Sequence, residues 1–350
     1  MQSFIYMGNM RAGTQLANKL IDAGFQAATE IESADYVLTY LPLNRDQEDV
    51  YFGTDGIIAR ANPGTVVVDL SPTTPTFARE LYTMAAVNDI HMVEAPLIVS
   101  DLTLPDAFSK PGNLTLFVAG ESADVTAASV LLDALSPNQQ LCGTAGKGQL
   151  ARCVATLTRI SQAIAFLEAY SLVNISPDGD FDLFLSTLDT LKTPEWLIRL
   201  VQAMHDCQFQ GSYTVEMANG EVASALDASE EEGLRLPFVE TSEALLNLLS
   251  EVNGRDMSLA ALYLHYVSEE ESERYGLDWS KVDDYFDDIH DHDFDEDLDD
   301  DEIADFVNND FMNFIYNTIA QDAFTNFDDD YLDEDTDFDD DLNEDDDEEE

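Results

Sequence analysis

The most regular hydrophobic pattern in the chain runs from Gly143 to Val173. Gly143, Gly146 and Gly148 punctuate its start, and apolar residues then recur at Leu150, Val154, Leu157, Ile160, Ile164 and Leu167. Spacings of three and four put these on one face of an α-helix. Ala151, Ala155, Ala163 and Ala165 leave room for close packing on its flanks. The breaker-rich run from Asn174 to Gly179 ends the helix. Before this spine, short β-rich runs alternate with helical patterns; after it, as far as about Val267, the pattern is helical. The spine therefore reads as the joint between a domain at 1–146 and a helical one at 147–275.

In the first half, apolar runs predict strands at Ser3 to Met7, Tyr36 to Tyr40, Thr65 to Leu70, His91 to Val93, Leu114 to Val118 and Gln140 to Cys142. Helical patterns fall between them, at Met10 to Ala23, Asp46 to Phe52, Thr76 to Ala86 and Ala123 to Leu135. Such alternation predicts an α/β fold with a Rossmann-like, doubly wound, mostly parallel sheet. The entry strand, Gly8 and the following helix have the layout of a phosphate cradle. Of the full G-x-G-x-x-G pattern, however, only the middle glycine is present; the outer positions hold Tyr6 and Arg11. Tyr6 is expected to crowd the turn and Arg11 the helix–sheet contact, although its charge suits a phosphate. Glu30 and Glu32 are the available acids for a ribose, and they read as solvated loop charges. Too few residues lie between them and Tyr36 for a complete second half-unit, so either one βα unit is missing or the sheet is rebuilt.

In the helical half, Leu197, Leu200, Val201 and Met204 form one apolar face and Leu245, Leu246, Leu248 and Leu249 another. Core packing is the first expectation for both, a dimer interface the second. Further helices are expected at Phe181 to Leu188, Val215 to Ala228 and Ser258 to Val267.

Charge changes the picture most at the C-terminal end. Of 72 acids, 34 lie in residues 276–350, where Lys281 is the one basic residue. The net charge of −57 therefore marks a folded body with an acidic tail, which repels nucleic acid and anionic membranes. Within the tail, Ile303, Val307, Phe311, Phe314, Ile315 and Ile319 make an acidic-hydrophobic stripe suited to a protein partner. Asp291 to Glu302 has the spacing of a calcium loop, but Glu296 stands where that loop needs glycine, so no specific metal is expected. Three widely spaced cysteines, the lack of a long apolar run and the absence of a leader pattern at Met1 suggest a cytoplasmic protein.

Taken in order, Gly8-Asn9-Met10, Leu41-Pro42, Gly56-Ile57, Asp69-Leu70-Ser71 with Pro75, Ala95-Pro96, Leu114 to Val118 with Gly120, and Gly146-x-Gly148-Gln149 resemble the β-hydroxyacid dehydrogenases. That group includes 3-hydroxyisobutyrate dehydrogenase and tartronate semialdehyde reductase and is related to 6-phosphogluconate dehydrogenase. The resemblance implies an N-terminal NAD(P)-binding domain, an interdomain helix, and an all-helical domain that builds a homodimer. It implies NAD or NADP at Gly8, Asn9, Met10, Arg11, Leu41, Pro42 and Ser71. A small hydroxy acid would lie at Pro96, Ile98, Val99 and Ser100.

The same resemblance places Arg152 where the family has its proton-shuttling lysine, and Thr156 where it has an amide. Arginine holds its proton at physiological pH and cannot shuttle it. Both glycines and the serine of the substrate loop are replaced, and Pro72 stands for a cofactor-side threonine. A second lysine expected near Asn219 to Glu221 is absent. His91, Glu94, Lys147 and His205 are acid–base candidates by residue type alone. These losses point to a divergent oxidoreductase with weak cofactor binding and weak or no dehydrogenase activity. The alternative is a non-catalytic dimeric module acting through its acidic tail.

Overall fold

The sheet begins with β1 (Ser3–Gly8), which leads through a glycine turn into α1 (Met10–Asp22) and then β2 (Gln26–Ala27). β3 (Tyr36–Tyr40) is followed by α2 (Asn44–Phe52) and α3 (Ile57–Arg60). β4 (Val66–Asp69), α4 (Pro75–Val87) and β5 (His91–Glu94) continue the alternation. β6 (Leu97–Val99), β7 (Leu114–Ala119), α5 (Ser122–Leu135) and β8 (Asn138–Gly143) complete the sheet. This computed structural model describes residues 2–282 of the chain, without the side chains of residues 44–46. Those residues belong to one compact unit.

The strand order is β2-β1-β3-β4-β5-β7-β6, with β8 also on β7. The first five strands of that order are parallel. β7 runs against β5 and β6 and parallel to β8. The Rossmann-like expectation is therefore met, with one mixed edge. Val37, Val67 and Met92 share a register row and pack on Tyr51, Ile57, Leu81 and Ala85 from α2, α3 and α4. α1 and α5 lie side by side, and α5 packs on β4 and β5. Thr74 caps α4 by accepting from Phe77 N, with Pro75 at the first helical position, as such residues do at helix starts.

Beyond β1 the sheet holds only the two residues of β2 among the described residues. The segment that follows forms a single turn of 3₁₀ helix at Ile31–Ser33 and enters β3 directly. A βα unit is missing here. Glu30 and Glu32 are not simply solvated: Arg60 clamps both, at 2.9 Å and 2.8 Å.

The spine is α6 (Lys147–Ile175). By length and composition it could cross a bilayer, but it packs against the sheet and against the helices that follow. These are α7 (Phe181–Thr190), α8 (Glu195–His205), α9 (Val215–Glu230) and α10 (Pro237–Leu249). The leucine faces of α8 and α10 are buried. The stretch expected to be a helix at Ser258 to Val267 is 3₁₀ from Leu259 to Tyr266.

The inward face of α6 differs from expectation at its N-terminal end. Leu150 and Val154 are exposed, at 57% and 61%, while Gln149, Arg152 and Thr156 are buried. These polar groups face inward because each finds a hydrogen-bond partner there, which removes the cost of burying them. The chain does not leave the body at residue 276. Leu277 is buried, Asp278 N donates to Val252 O, and Trp279 Nε1 donates to Ser272 Oγ. The calcium-like spacing at 291–302 and the stripe from Ile303 to Ile319 lie outside the described residues.

Candidate functional site

Gly8 ends β1 at φ +127°, and a β-carbon there would lie 2.1 Å from Tyr40 O. Only glycine suits this left-handed, tightly packed turn. Tyr6 does not obstruct it. Its ring lies over Gly13, where a β-carbon would stand 2.1 Å from Cε1, and its hydroxyl donates to Asn9 O at 2.6 Å. The close-packing glycine expected at position 11 has thus been displaced to Gly13. Burial raises the Tyr6 phenol well above its ordinary pKa.

The amide groups that open α1 are already occupied. Asn9 Oδ1 accepts from Arg11 N at 3.0 Å and from Ala12 N at 3.2 Å, so the donors that a phosphate would use are met by the chain itself. Arg11 turns away from the turn. Its Nη1 donates to Gly211 O and Asp256 O, and its Nη2 meets Asp256 Oδ1 at 3.2 Å. Met10 is exposed. Further along α1, Gln15 Nε2 donates to Ser212 Oγ at 2.7 Å, and Gln15 Oε1 accepts from Phe108 N. Residues from both halves of the chain therefore cover this end of the sheet.

Leu41 and Pro42 follow β3. Leu41 N donates to Ser71 Oγ at 2.9 Å, and Ser71 O accepts from Gln149 Nε2 at 2.9 Å. α9 rests directly on this loop: a β-carbon at Gly220 would stand 1.7 Å from Pro42 O. Tyr40 is fully enclosed beneath it, and its hydroxyl has no hydrogen-bond partner among the described residues.

Arg152 is fully buried. Its Nη1 donates to Glu221 O at 2.8 Å, its Nη2 to Thr73 O at 3.0 Å, and its Nε to Gln149 Oε1 at 3.2 Å. A guanidinium has five N–H donors in a fixed fork, and here the fork ties α6 to the loop after β4 and to α9. One turn on, Thr156 Oγ1 donates to Glu221 Oε2 at 3.0 Å. Burial raises the carboxyl pKa of Glu221, and the nearby Arg152 charge and the Thr156 hydrogen bond oppose that rise.

The segment expected to be a substrate loop is a strand. With Ile98 in place of the serine and Val99 and Ser100 in place of the two glycines, β6 pairs antiparallel with β7, Ile98 opposite Thr115. β-branched residues favour that extended, half-buried state. Pro96 O accepts from Phe117 N, Ser100 N donates to Asn113 O, and Ser100 O accepts from Arg159 Nη2. Between the halves lie a pocket of about 340 Å³, lined by Pro75, Arg79, Gly146, Lys147, Leu150 and Glu231 among others, and a cavity of about 10 Å³, lined by Ile98, Val99, Thr156, Arg159, Tyr213 and Glu221 among others. The smaller has room for about one water molecule. Arg152 lines neither.

Glu94, at the end of β5, points at the start of α6. Its Oε1 accepts from Gly148 N at 2.9 Å, and burial pushes its carboxyl up to about 7. His91 pairs with Asp124 at 2.6 Å, His205 stacks on Phe181, and Lys147 is exposed. These four candidates do not converge on either space. Among the described residues, no group of three or more His, Cys, Asp or Glu side chains is arranged to hold a metal ion.

Residues 5–144 match the model of the NAD binding domain of 6-phosphogluconate dehydrogenase. This part of the chain is thus similar to 3-hydroxyisobutyrate dehydrogenases and related oxidoreductases. An uncharacterized oxidoreductase of Bacillus subtilis, YkwC, is 23% identical over 67% of this chain and 80% of its own length. A probable mitochondrial 3-hydroxyisobutyrate dehydrogenase of Dictyostelium discoideum is 31% identical, over 47% of this chain and 49% of its own length. In fold, the chain is similar to a 3-hydroxyisobutyrate dehydrogenase from Salmonella typhimurium. The TM-score is 0.64 at 16% identity, covering 75% of this chain and 99% of that one.

The turn at Gly8 has the tight glycine geometry of an NAD-binding domain. The ribose-side acids are held by Arg60, the amides of α1 by Asn9, and the space beside Pro42 by α9. Sequence reasoning did not single out Gln149, Arg159 or Tyr213 as cleft residues. Gln149 alone carried a signal, as the last residue of the glycine motif before the spine.

Proposed function

We propose that this chain is an oxidoreductase-type protein whose cofactor and substrate cleft is packed shut, and that it performs little or no hydride transfer. The observation that carries this reading is Arg152 at the family's lysine position. It is buried, spent on four protein acceptors, and lines neither pocket between the halves. Hydride transfer to or from a hydroxy acid needs a group that takes up or gives a proton at the substrate oxygen. The candidate groups do not converge on one space: Lys147 lines the wider pocket, and His91, Glu94 and His205 line neither it nor the small cavity.

The body then serves as a scaffold, and the acidic segment beyond Val282 is its contact with a basic protein partner. Supporting this are the 34 acids in residues 276–350 and the anchoring of Leu277 and Trp279 on the body.

Titrating the full chain with NADH and NADPH, followed by nicotinamide fluorescence, tests the central reading. The expected result is no saturable binding up to about 1 mM. Micromolar binding together with turnover of a small hydroxy acid would overturn it. Partner capture by the full chain and by a chain ending at Val282 tests the second part, and an unchanged partner set would remove it.

A further inference from the structure

We propose that the wider pocket between the halves binds a free α-amino acid with an apolar side chain. Its volume of about 340 Å³ lies in the range of small-molecule sites. It shares no lining residue with the small cavity beside Thr156, and Arg152 lies outside both. α4 and the first turn of α6 supply Arg79 and Lys147 to one wall, and the end of α9 supplies Glu231 and Glu232 to the other. All four side chains are open to solvent, and among the described residues they make no ion pair with one another. A hydroxyl bridges the two walls instead. Thr76 Oγ1 accepts from Arg79 Nη2 at 2.9 Å and donates to Glu231 Oε2 at 2.6 Å.

Charge selects the ligand. Two cations face two carboxylates, so the pocket is neutral in sum within a chain of net charge −57. A free anion would meet Glu231 and Glu232 and be repelled by the body as a whole. The first amides of α6 are not open to it either, since Glu94 Oε1 accepts from Gly148 N at 2.9 Å. A simple cation would meet Arg79 and Lys147. A molecule that carries both signs finds an opposite charge at each end. Its ammonium gains further from the C-terminus of α9, where the last carbonyls carry partial negative charge and Glu231 is the capping residue.

The spacing of those charges sets the class. Because one hydroxyl touches both Arg79 and Glu231, the opposed groups stand only that hydroxyl apart. A carboxylate and an ammonium carried on one carbon span a gap of that kind; a chain with its charges at distant ends does not. Gly146 lets the guanidinium lie in the wall. It sits at φ +90°, and a β-carbon there would fall 2.9 Å from both Arg79 Nη1 and Pro75 O. The rest of the lining is apolar, with Pro75, Ala145, Leu150 and Ala228. Leu150 is left largely uncovered by the chain itself, and an apolar side chain seated against it gains by burying both.

The experiment is equilibrium dialysis of the full chain against radiolabelled L-leucine, with unlabelled analogues as competitors. Saturable binding is expected, with a dissociation constant of about 1 mM or below. Leucinamide lacks the carboxylate and 4-methylpentanoate lacks the ammonium. Each is expected to compete about 10-fold or more less well, the effect of losing one charged hydrogen bond. Glycine keeps both charges and lacks the side chain, and it too is expected to be about 10-fold weaker. Arg79→Gln and Glu231→Gln are each expected to weaken L-leucine by about 10-fold or more. Arg235→Gln, whose partner Glu240 lies outside the pocket, is expected to change nothing.

No saturable binding of L-leucine up to about 10 mM overturns the inference. So does leucinamide or 4-methylpentanoate competing as well as leucine, since one charge alone would then be recognised. Binding that is indifferent to both Arg79→Gln and Glu231→Gln belongs elsewhere on the chain and overturns the site. The competitors act on the wild type, so they decide the matter even where a variant fails to fold. None of these outcomes depends on whether the chain binds NADH, which is titrated separately.

Discussion

The α-carbon of Gly220 in α9 lies against the carbonyl oxygen of Pro42, so close that a β-carbon at 220 would fall 1.7 Å from it. Gly220→Ala must therefore push α9 away from the loop after β3. The expected cost is about 1–3 kcal/mol, typical of overpacking a filled interior. It should appear as a lowered denaturation midpoint of the full chain. An unchanged midpoint would mean that α9 and the Leu41–Pro42 loop are not held together in solution.

Arg152→Lys restores the family's amine in name only. A lysine lacks the planar fork that reaches Thr73 O, Glu221 O and Gln149 Oε1 together. At least one of those buried acceptors is stranded, at about 1–3 kcal/mol each. The variant is expected to be less stable and no more active with a small hydroxy acid and NADH. A gain in turnover, measured by absorbance at the nicotinamide band, would contradict the closed cleft.

Glu94 makes stability depend on pH in a direction opposite to most carboxylates. Its folded pKa of about 7 lies above its unfolded value of 4.5. Between the two, the folded state holds the extra proton, so stability falls as pH rises through that window. At 1.36 kcal/mol per unit the loss is about 3 kcal/mol. Glu94→Gln should match the wild type near pH 4 and exceed it by that order above pH 7, by urea denaturation. Equal stabilities at pH 8 would refute the burial of a charge there.

His265 acts in the other direction. Burial lowers its folded pKa from 6.5 to about 4, while Nε2 lies 3.0 Å from Leu245 O. Here the unfolded chain takes up the proton first, so stability falls as pH drops from 6.5 towards 4. His265→Gln keeps a donor for Leu245 O and removes the titration. Its stability relative to wild type should improve on acidification, by about 3 kcal/mol at most. A difference that stays constant between pH 7 and pH 4 would assign the effect to packing instead.

The fold was legible because its signals are local. β-branched runs mark β3 and β4, Gly8 and Gly146 mark the turns that need positive φ, and the three-and-four spacing marks α6. The contacts between the two halves were not legible, because their causes act between distant segments. Nothing in the neighbourhood of Arg11 announces Asp256, and no periodicity announces that Gly220 will meet Pro42. On the spine, apolar spacing suggested that Leu150 and Val154 face inward. The polar set Gln149, Arg152 and Thr156 took that side, since its partners come from the loop after β4 and from α9. The glycine-free run at Leu97 to Val99 did carry a readable strand signal, overshadowed by the expectation of a loop.

The brevity of β2 bears on any attempt to revive a nucleotide pocket in this chain. Exchanging Asn9, Arg11 or Arg152 alters chemistry at the middle of the sheet, but the margin outside β1 ends after Gln26 and Ala27. Extending that margin would take a crossover of at least about 10–12 residues inserted before Ile31, a change of segment and not of single residues.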